Sequence, residues 1–242
     1  MIIKELSIIF PIYNEEERLK KSLYKITRLF KAFKLIKIEI ILVNDGSTDK
    51  THELISTFVK SIKKQNKNKI IYINYKKNRG KGHALKKGVK KATKQWILTC
   101  DIDFSTEPTE INKWIKLNYI KNEKDCYFGS RDIKKSKIKF RYYRKFIGNI
   151  FNIIVSLLFK LNVKDTQCGF KLYHKNYAKK IFSKLKERGY SHDVEIAILL
   201  NKNFINITEL PIKWIHRGKS KVNIFYDGLT MIIKLLFIKL RY

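Results

Sequence analysis

Four short runs of branched and aromatic residues constrain this chain more than any other feature: residues 6–12, 38–43, 70–74 and 96–100. Each has the length of a buried strand. Between them lie segments with apolar side chains at helical spacing, such as Leu19, Leu23, Ile26, Leu29 and Phe30. Strands apolar on both faces need cover on both faces, and an alternation of strand and helix supplies it. The predicted class is therefore α/β, a mostly parallel sheet with helices on both sides. With 242 residues, the chain can bury one large core.

The polar motifs fall at the ends of these runs. Pro11 is expected to close the first strand, and Asn14 to cap the helix after it, with Glu15, Glu16 and Glu17 in its first turn. The second run ends in Asn44-Asp45-Gly46-Ser47-Thr48-Asp49, a turn that leads into another helix. After the third comes Asn78-Arg79-Gly80-Lys81-Gly82-His83. Gly80 and Gly82 allow close backbone approach to an anion with Lys81 beside it, although they equally suit a simple helix-start turn. The fourth ends in Asp101-Ile102-Asp103, two acids two positions apart. Neighbouring carboxylates repel unless something positive lies between them, and a divalent cation with oxygen ligands answers that need. The carboxyl ends of strands are also where open α/β sheets bind ligands.

The second half continues with a short strand, residues 126–130, ending at Arg131. Residues 134–145 are basic with interleaved aromatics, including Arg144, and read as a loop that seeks anions or single-stranded nucleic acid. Residues 146–161 form an apolar helix with a narrow polar stripe, either core or interfacial and too short to span a bilayer comfortably. The polar loop Asp165-Thr166-Gln167-Cys168-Gly169-Phe170-Lys171 precedes another strand and helix, and Asp193-Val194-Glu195 opens a further helix. His216-Arg217-Gly218-Lys219-Ser220-Lys221 is a cationic turn suited to phosphate, and equally to solvent. Residues 222–242 form an amphipathic tail whose apolar face is edged by Lys234, Lys239 and Arg241, suited to an anionic membrane or to docking on the domain at 1–221.

Lys and Arg number 53 against 21 Asp and Glu, a formal net charge of +32. Such a field favours polyanionic partners, but Lys-rich compositional drift accounts for more of it than any partner. A nucleic-acid-binding module gives no reason for acids grouped at successive strand ends, so no nucleic-acid partner is expected. Three scattered Cys suit neither a disulfide framework nor a zinc site. No secretory leader or membrane anchor is read at the N-terminus.

Together these strings resemble the family-2 inverting glycosyltransferases of the GT-A fold: Phe10-Pro11-Ile12-Tyr13-Asn14-Glu15, Val43-Asn44-Asp45-Gly46-Ser47, Asn78-Arg79-Gly80-Lys81-Gly82 and Asp101-Ile102-Asp103. Gly129-Ser130-Arg131, the loop at 165–171, Asp193-Val194-Glu195 and Gly218-Lys219-Ser220-Lys221 are similar to the polyprenyl-phosphate sugar synthases within that family, and most to their dolichyl-phosphate glucosylating branch. The resemblance implies transfer of one sugar, glucose from UDP-glucose, to a polyprenyl or dolichyl phosphate with inversion. Mannose from GDP-mannose, or a glycan acceptor, is the alternative. It implies a nucleotide-sugar site at Pro11, Tyr13, Glu15, Asp45, Gly80, Lys81 and Asp101. Mg²⁺ or Mn²⁺ would sit on Asp101 and Asp103. Arg131, Arg144 and Lys221 would hold the acceptor phosphate, with Asp165 and Arg217 joining Asp101, Asp103 and Arg131 among the catalytic residues. The implied place is the cytoplasmic face of a membrane, peripherally bound.

Overall fold

The structure is a computed structural model that describes residues 3–64, 69–139, 142–217 and 224–242. Strands β1 (Glu5–Ile12), β2 (Lys37–Asp45), β3 (Lys69–Tyr75) and β4 (Trp96–Thr99) alternate with helices α1 (Glu16–Ala32), α2 (Thr51–Lys64) and α3 (Lys81–Lys91). All four strands pair in parallel, in the order β3-β2-β1-β4. The sheet is then extended by β7 (Lys171–His174), β5 (Cys126–Ser130) and β8 (Ile207–Pro211), giving seven strands in the order β3-β2-β1-β4-β7-β5-β8. Strand β7 runs antiparallel to both β4 and β5, so the mostly parallel expectation holds with one reversed strand. Periodicity cannot reveal strand direction. A single-strand reversal needs only that the chain enter the sheet from its opposite end: α4 (Glu110–Lys116) leads to β5, which runs with β4, and α5 (Tyr142–Phe159) leads to β7, which runs against both.

Several local expectations shift. Pro11 does not close β1, which runs through Ile12 with Pro11 opposite Val43. Ile9 is the last residue of β1 to pair with β4. Pro11 lies two residues further on, facing the same side beyond the end of β4, where a missing N–H costs no ladder bond. Residues 134–145 are not one loop: β6 (Lys137–Lys139) pairs in parallel with β9 (Lys213–Ile215), and α5 begins at Tyr142 rather than at 146.

Two apolar layers flank the sheet. Helices α1, α2 and α4 cover one face, with Leu19, Ile26, Ile55, Ile111 and Trp114 packed on Phe10, Leu42 and Leu98. On the other face α3, α6 (Lys175–Lys184), α7 (His192–Lys202) and part of α5 pack on Ile9, Ile41 and Ile97. Helix α8 (Ile224–Arg241) joins this second layer through Leu235 and Ile238, both buried. The boundary expected between 221 and 222 lies outside the described residues.

Glu39 is a buried carboxylate at the sheet edge opposite the motifs. Ser7 Oγ, the Thr93 N–H and hydroxyl, and Lys69 Nζ all reach it. Burial alone would push its carboxyl up, but these donors outweigh burial and hold it below the ordinary glutamate value.

Candidate active site

The motif-bearing strand ends converge on a cleft of about 840 Å³. Its floor is assembled by side chains that bind turns to one another. Asn14, in the left-handed region at φ 50°, does not cap α1. Its Oδ1 accepts the Thr48 N–H at 2.8 Å, and its own N–H goes to Ser47 Oγ at 2.9 Å. The Glu15 N–H goes to Thr51 Oγ1 at 2.8 Å. The turn after β1 is thus stitched to the turn after β2. Asn44 needs both halves of an amide: Oδ1 accepts the Ser47 N–H, and Nδ2 donates to Asn74 Oδ1 at 2.8 Å.

Asp45 organises the third motif. Its carboxylate accepts from the Tyr75 hydroxyl, Asn78 Nδ2, and the N–H groups of Arg79 and Gly80 at 3.0 and 2.8 Å. This sets the start of α3, where Gly80 has φ 94° and a Cβ would fall 2.3 Å from the Arg188 carbonyl oxygen. Lys81, the first residue of α3, then reaches Asp101, with Nζ 2.7 Å from Oδ1. Burial would push this ammonium down, but Asp101 and Asp193 outweigh burial and hold it above the ordinary lysine value.

Asp101 lies against the 165–171 loop, where a Cβ on Gly169 would fall 2.6 Å from its Oδ2. Asp103 accepts the Ser105 N–H at 2.8 Å. Burial and then the Asp101 charge push the Asp103 carboxyl up. Among the described residues no group of three or more His, Cys, Asp and Glu is placed to hold a metal. Asp101 and Asp103 bring two carboxylates to the same cleft. That donor set suits a hard divalent cation shared with phosphate.

Across the cleft stand cations. The Arg131 guanidinium is clamped by Asp165, with Nε to Oδ2 and a terminal nitrogen to Oδ1 both at 2.7 Å, and the Arg131 N–H adds a third bond at 2.9 Å. Burial would raise the Asp165 carboxyl, but Arg131 outweighs it and holds it low. Arg18 pairs with Glu15, Nε to Oε2 at 2.8 Å, and donates to the Arg217 carbonyl at 3.2 Å. Arg217 in turn reaches the Phe104 carbonyl at 3.0 Å and Glu107 at 3.2 Å.

Of the residues singled out from sequence, Pro11, Tyr13, Glu15, Asp45, Gly80, Lys81, Asp101, Asp103, Arg131 and Arg217 all line this cleft. Asp165 is not among the lining residues; it is buried at the back of Arg131. Arg144 belongs to α5, but its side chain lies outside the described residues, as does all of Lys221. Sequence reasoning gave no role to Arg18, Gln167, Trp214 or the buried Lys171–Asp193 pair, although Gln167, Lys171 and Asp193 stand in strings it had marked. For Arg18 the signal was its place three residues after Glu15 on one helix.

Comparison with known proteins fits this geometry. The family model described as "Glycosyl transferase family 2" matches residues 7–182. Dolichyl-phosphate beta-glucosyltransferase of Dictyostelium discoideum is 35% identical over 248 residues, covering 98% of this chain and 74% of that protein. The Homo sapiens protein of that name is 34% identical over 249 residues, covering 99% and 76%. In fold, the chain resembles glucosyl-3-phosphoglycerate synthase from Mycobacterium tuberculosis in complex with Mn²⁺ and UDP-glucose, with a TM-score of 0.65 at 15% identity over 98% of this chain and 79% of that one. A cleft at the carboxyl ends of β1, β2 and β4, a paired-acid motif just after β4 and a family match over most of the chain lead to one conclusion: this protein is a member of glycosyltransferase family 2.

Proposed function

We propose that the enzyme transfers glucose from UDP-glucose to dolichyl phosphate, or a related polyprenyl phosphate, inverting the anomeric carbon. The observation that carries this reading is identity of 30–35%, over almost the whole chain, to dolichyl-phosphate beta-glucosyltransferases from several eukaryotes. The nucleotide would lie along Pro11, Tyr13, Glu15 and Asp45, with its diphosphate at Gly80, Lys81, Asp101 and Asp103. Asp101 and Asp103 would hold Mg²⁺ or Mn²⁺. Bound there, the ion offsets charge on the departing diphosphate.

The chain's own residues supply the rest. The acceptor is a phosphate monoester, already anionic, so it needs little help from a general base. Its difficulty is repulsion from the donor diphosphate. Arg131, fixed by Asp165, presents a guanidinium to the cleft that suits a phosphate. Arg217, which also lines the cleft, extends that field, and Arg144 and Lys221 are proposed as further phosphate contacts. Inversion follows from direct attack by the phosphate oxygen on the face opposite the leaving group.

The direct test supplies radiolabelled UDP-glucose or GDP-mannose with dolichyl phosphate or a glycan acceptor. Label from UDP-glucose should enter the lipid fraction. Label found only in glycan, or only from GDP-mannose, overturns the reading.

A peripheral membrane position belongs to the same proposal. No described helix is long and apolar enough to cross a membrane. Helices α5 and α8 pack together, and Lys239 Nζ of α8 donates to the Leu158 carbonyl of α5 at 2.7 Å. Both expose large apolar side chains, notably Leu157 at 77% and Leu240 at 85%. Gly148 and Asn152 of α5 line the cleft, so a bilayer on these helices would bring a lipid phosphate to its edge. Leu157→Glu/Leu240→Glu should abolish flotation with anionic vesicles while leaving turnover of a detergent-dispersed acceptor. Unchanged flotation would refute this face as the contact.

A further inference from the structure

Asp193 begins the cleft wall that the metal and phosphate groups leave unexplained. It lies in the first turn of α7, lines the cleft and is 5% exposed. Its Oδ1 is held by the ammonium of Lys171, a side chain 1% exposed. That ammonium is fixed in turn by the Thr166 carbonyl at 2.9 Å and lies over the Phe128 ring, 4.9 Å from its centre. Among the described residues Oδ2 receives no hydrogen bond. Behind it His192 donates from Nδ1 to the Gly189 carbonyl at 2.7 Å, which leaves Nε2 as an acceptor, 3.5 Å from Asp193 Oδ1 and with no hydrogen-bond partner. Asp193 therefore presents an acceptor to the cleft, with the buried Lys171 ammonium behind it.

The Asp193 carboxylate offers a phosphate an acceptor and no donor. It also suits a base poorly, because Lys171 stabilises the ionised carboxylate and the acceptor is already charged. It suits a neutral group rich in O–H donors. Its position agrees: Lys81 bridges to the metal-site acid Asp101, the next residue Gly82 packs so closely on His192 that a Cβ there would fall 2.6 Å from the His192 Cβ, and Lys81, Asp101 and Asp193 line one cleft, so Asp193 stands beside the place where a sugar joined to the diphosphate would lie. Gln167, on the loop that also carries Gly169, lines the same cleft, and its carboxamide nitrogen has no hydrogen-bond partner.

We infer that Asp193, held by Lys171, is a specificity-determining residue that accepts a hydrogen bond from a hydroxyl of the donor sugar, with Gln167 as a second contact. This rests on the glucosyl-transfer reading above. An Asn at 193 keeps the size and loses the charged acceptor, which lowers kcat/KM for UDP-glucose by roughly 10- to 100-fold. The test measures kcat/KM for wild type and Asp193→Asn with UDP-glucose and with its 2-, 3-, 4- and 6-deoxy analogues. The Asn penalty should shrink severalfold or more for the one analogue that lacks the contacted hydroxyl, and persist with the others. UDP alone should bind both proteins alike. Because the single change leaves Lys171 buried without a counter-charge, Lys171→Met/Asp193→Asn is run beside it, and Gln167→Ala provides an independent arm. A penalty equal across all five donors, in whichever of these proteins folds, overturns the sugar contact. A wild-type enzyme that uses none of the donors overturns the glucosyl-transfer reading instead.

Discussion

Replacing Asp101 and Asp103 together with Asn is expected to lower kcat/KM for glucosyl transfer by about 10³-fold or more while leaving the fold intact. A bound divalent cation supplies several kcal/mol of charge stabilisation to a departing diphosphate, and each factor of ten in rate is about 1.4 kcal/mol. The structural cost is small. The two carboxylates burden each other, and burial together with the Asp101 charge already pushes the Asp103 carboxyl up. Neutralising both removes that repulsion. Lys81 loses its ion pair to Asp101, but the two side chains are 24% and 41% exposed and Asp193 remains near Lys81 as a counter-charge, so the loss is about 1 kcal/mol. Circular dichroism and Tm should therefore stay near wild type. In the native enzyme, Mn²⁺ should strengthen UDP binding and chelation should stop turnover; in the double variant, calorimetry should show UDP binding indifferent to Mn²⁺. Full turnover, or UDP binding still strengthened by Mn²⁺, would refute the assignment of these two acids.

How far the sequence reached depended on the range of the interaction. The four parallel strands were legible because a buried strand must be apolar along its length, and residues 38–43 or 96–100 satisfy that locally. The clustering of Asp45, Gly80, Lys81 and Asp101 followed, since parallel strands bring like ends to one edge. Partnerships across the chain were not legible. Asn14 looked like a helix cap from its neighbours, yet its side chain is used by Thr48, 34 residues away. Asp165 looked like a residue of the cleft, yet its carboxylate is spent on Arg131. Lys171 lies on a strand in a chain with 53 basic residues, and nothing local separates the one that is buried against Asp193 from those on the surface. Its string at 165–171 was marked, but a partner 22 residues away leaves no local trace.

Asp165→Ala should be among the most destabilising single changes in the site, even though Asp165 does not line the cleft. Its carboxylate is 1% exposed and receives three bonds from Arg131, while its own N–H and that of Lys164 are held by Glu209 on β8, each at 2.9 Å. Removing the acid leaves a guanidinium largely out of water without its counter-charge, a change that costs about 3–5 kcal/mol. For a chain of this length that lowers Tm by roughly 6–20 °C. The pH dependence distinguishes charge from packing. Arg131 holds the folded-state carboxyl below its unfolded value despite burial. Its contribution is therefore complete above the unfolded value, about pH 4, and fades as pH falls through the lower folded one. The Tm gap between wild type and Asp165→Asn should be wide at pH 7 and shrink progressively as pH falls from about 4 through the lower folded-state value; a constant gap would mean that lost packing, not lost charge, sets the cost. Arg131→Met/Asp165→Leu separates structure from chemistry, because it removes both charges at once. It should recover much of the Tm and none of the turnover, since the guanidinium that the pair delivers to the cleft is gone. Recovery of turnover along with Tm would show that the pair only braces the wall and that the acceptor phosphate is held elsewhere.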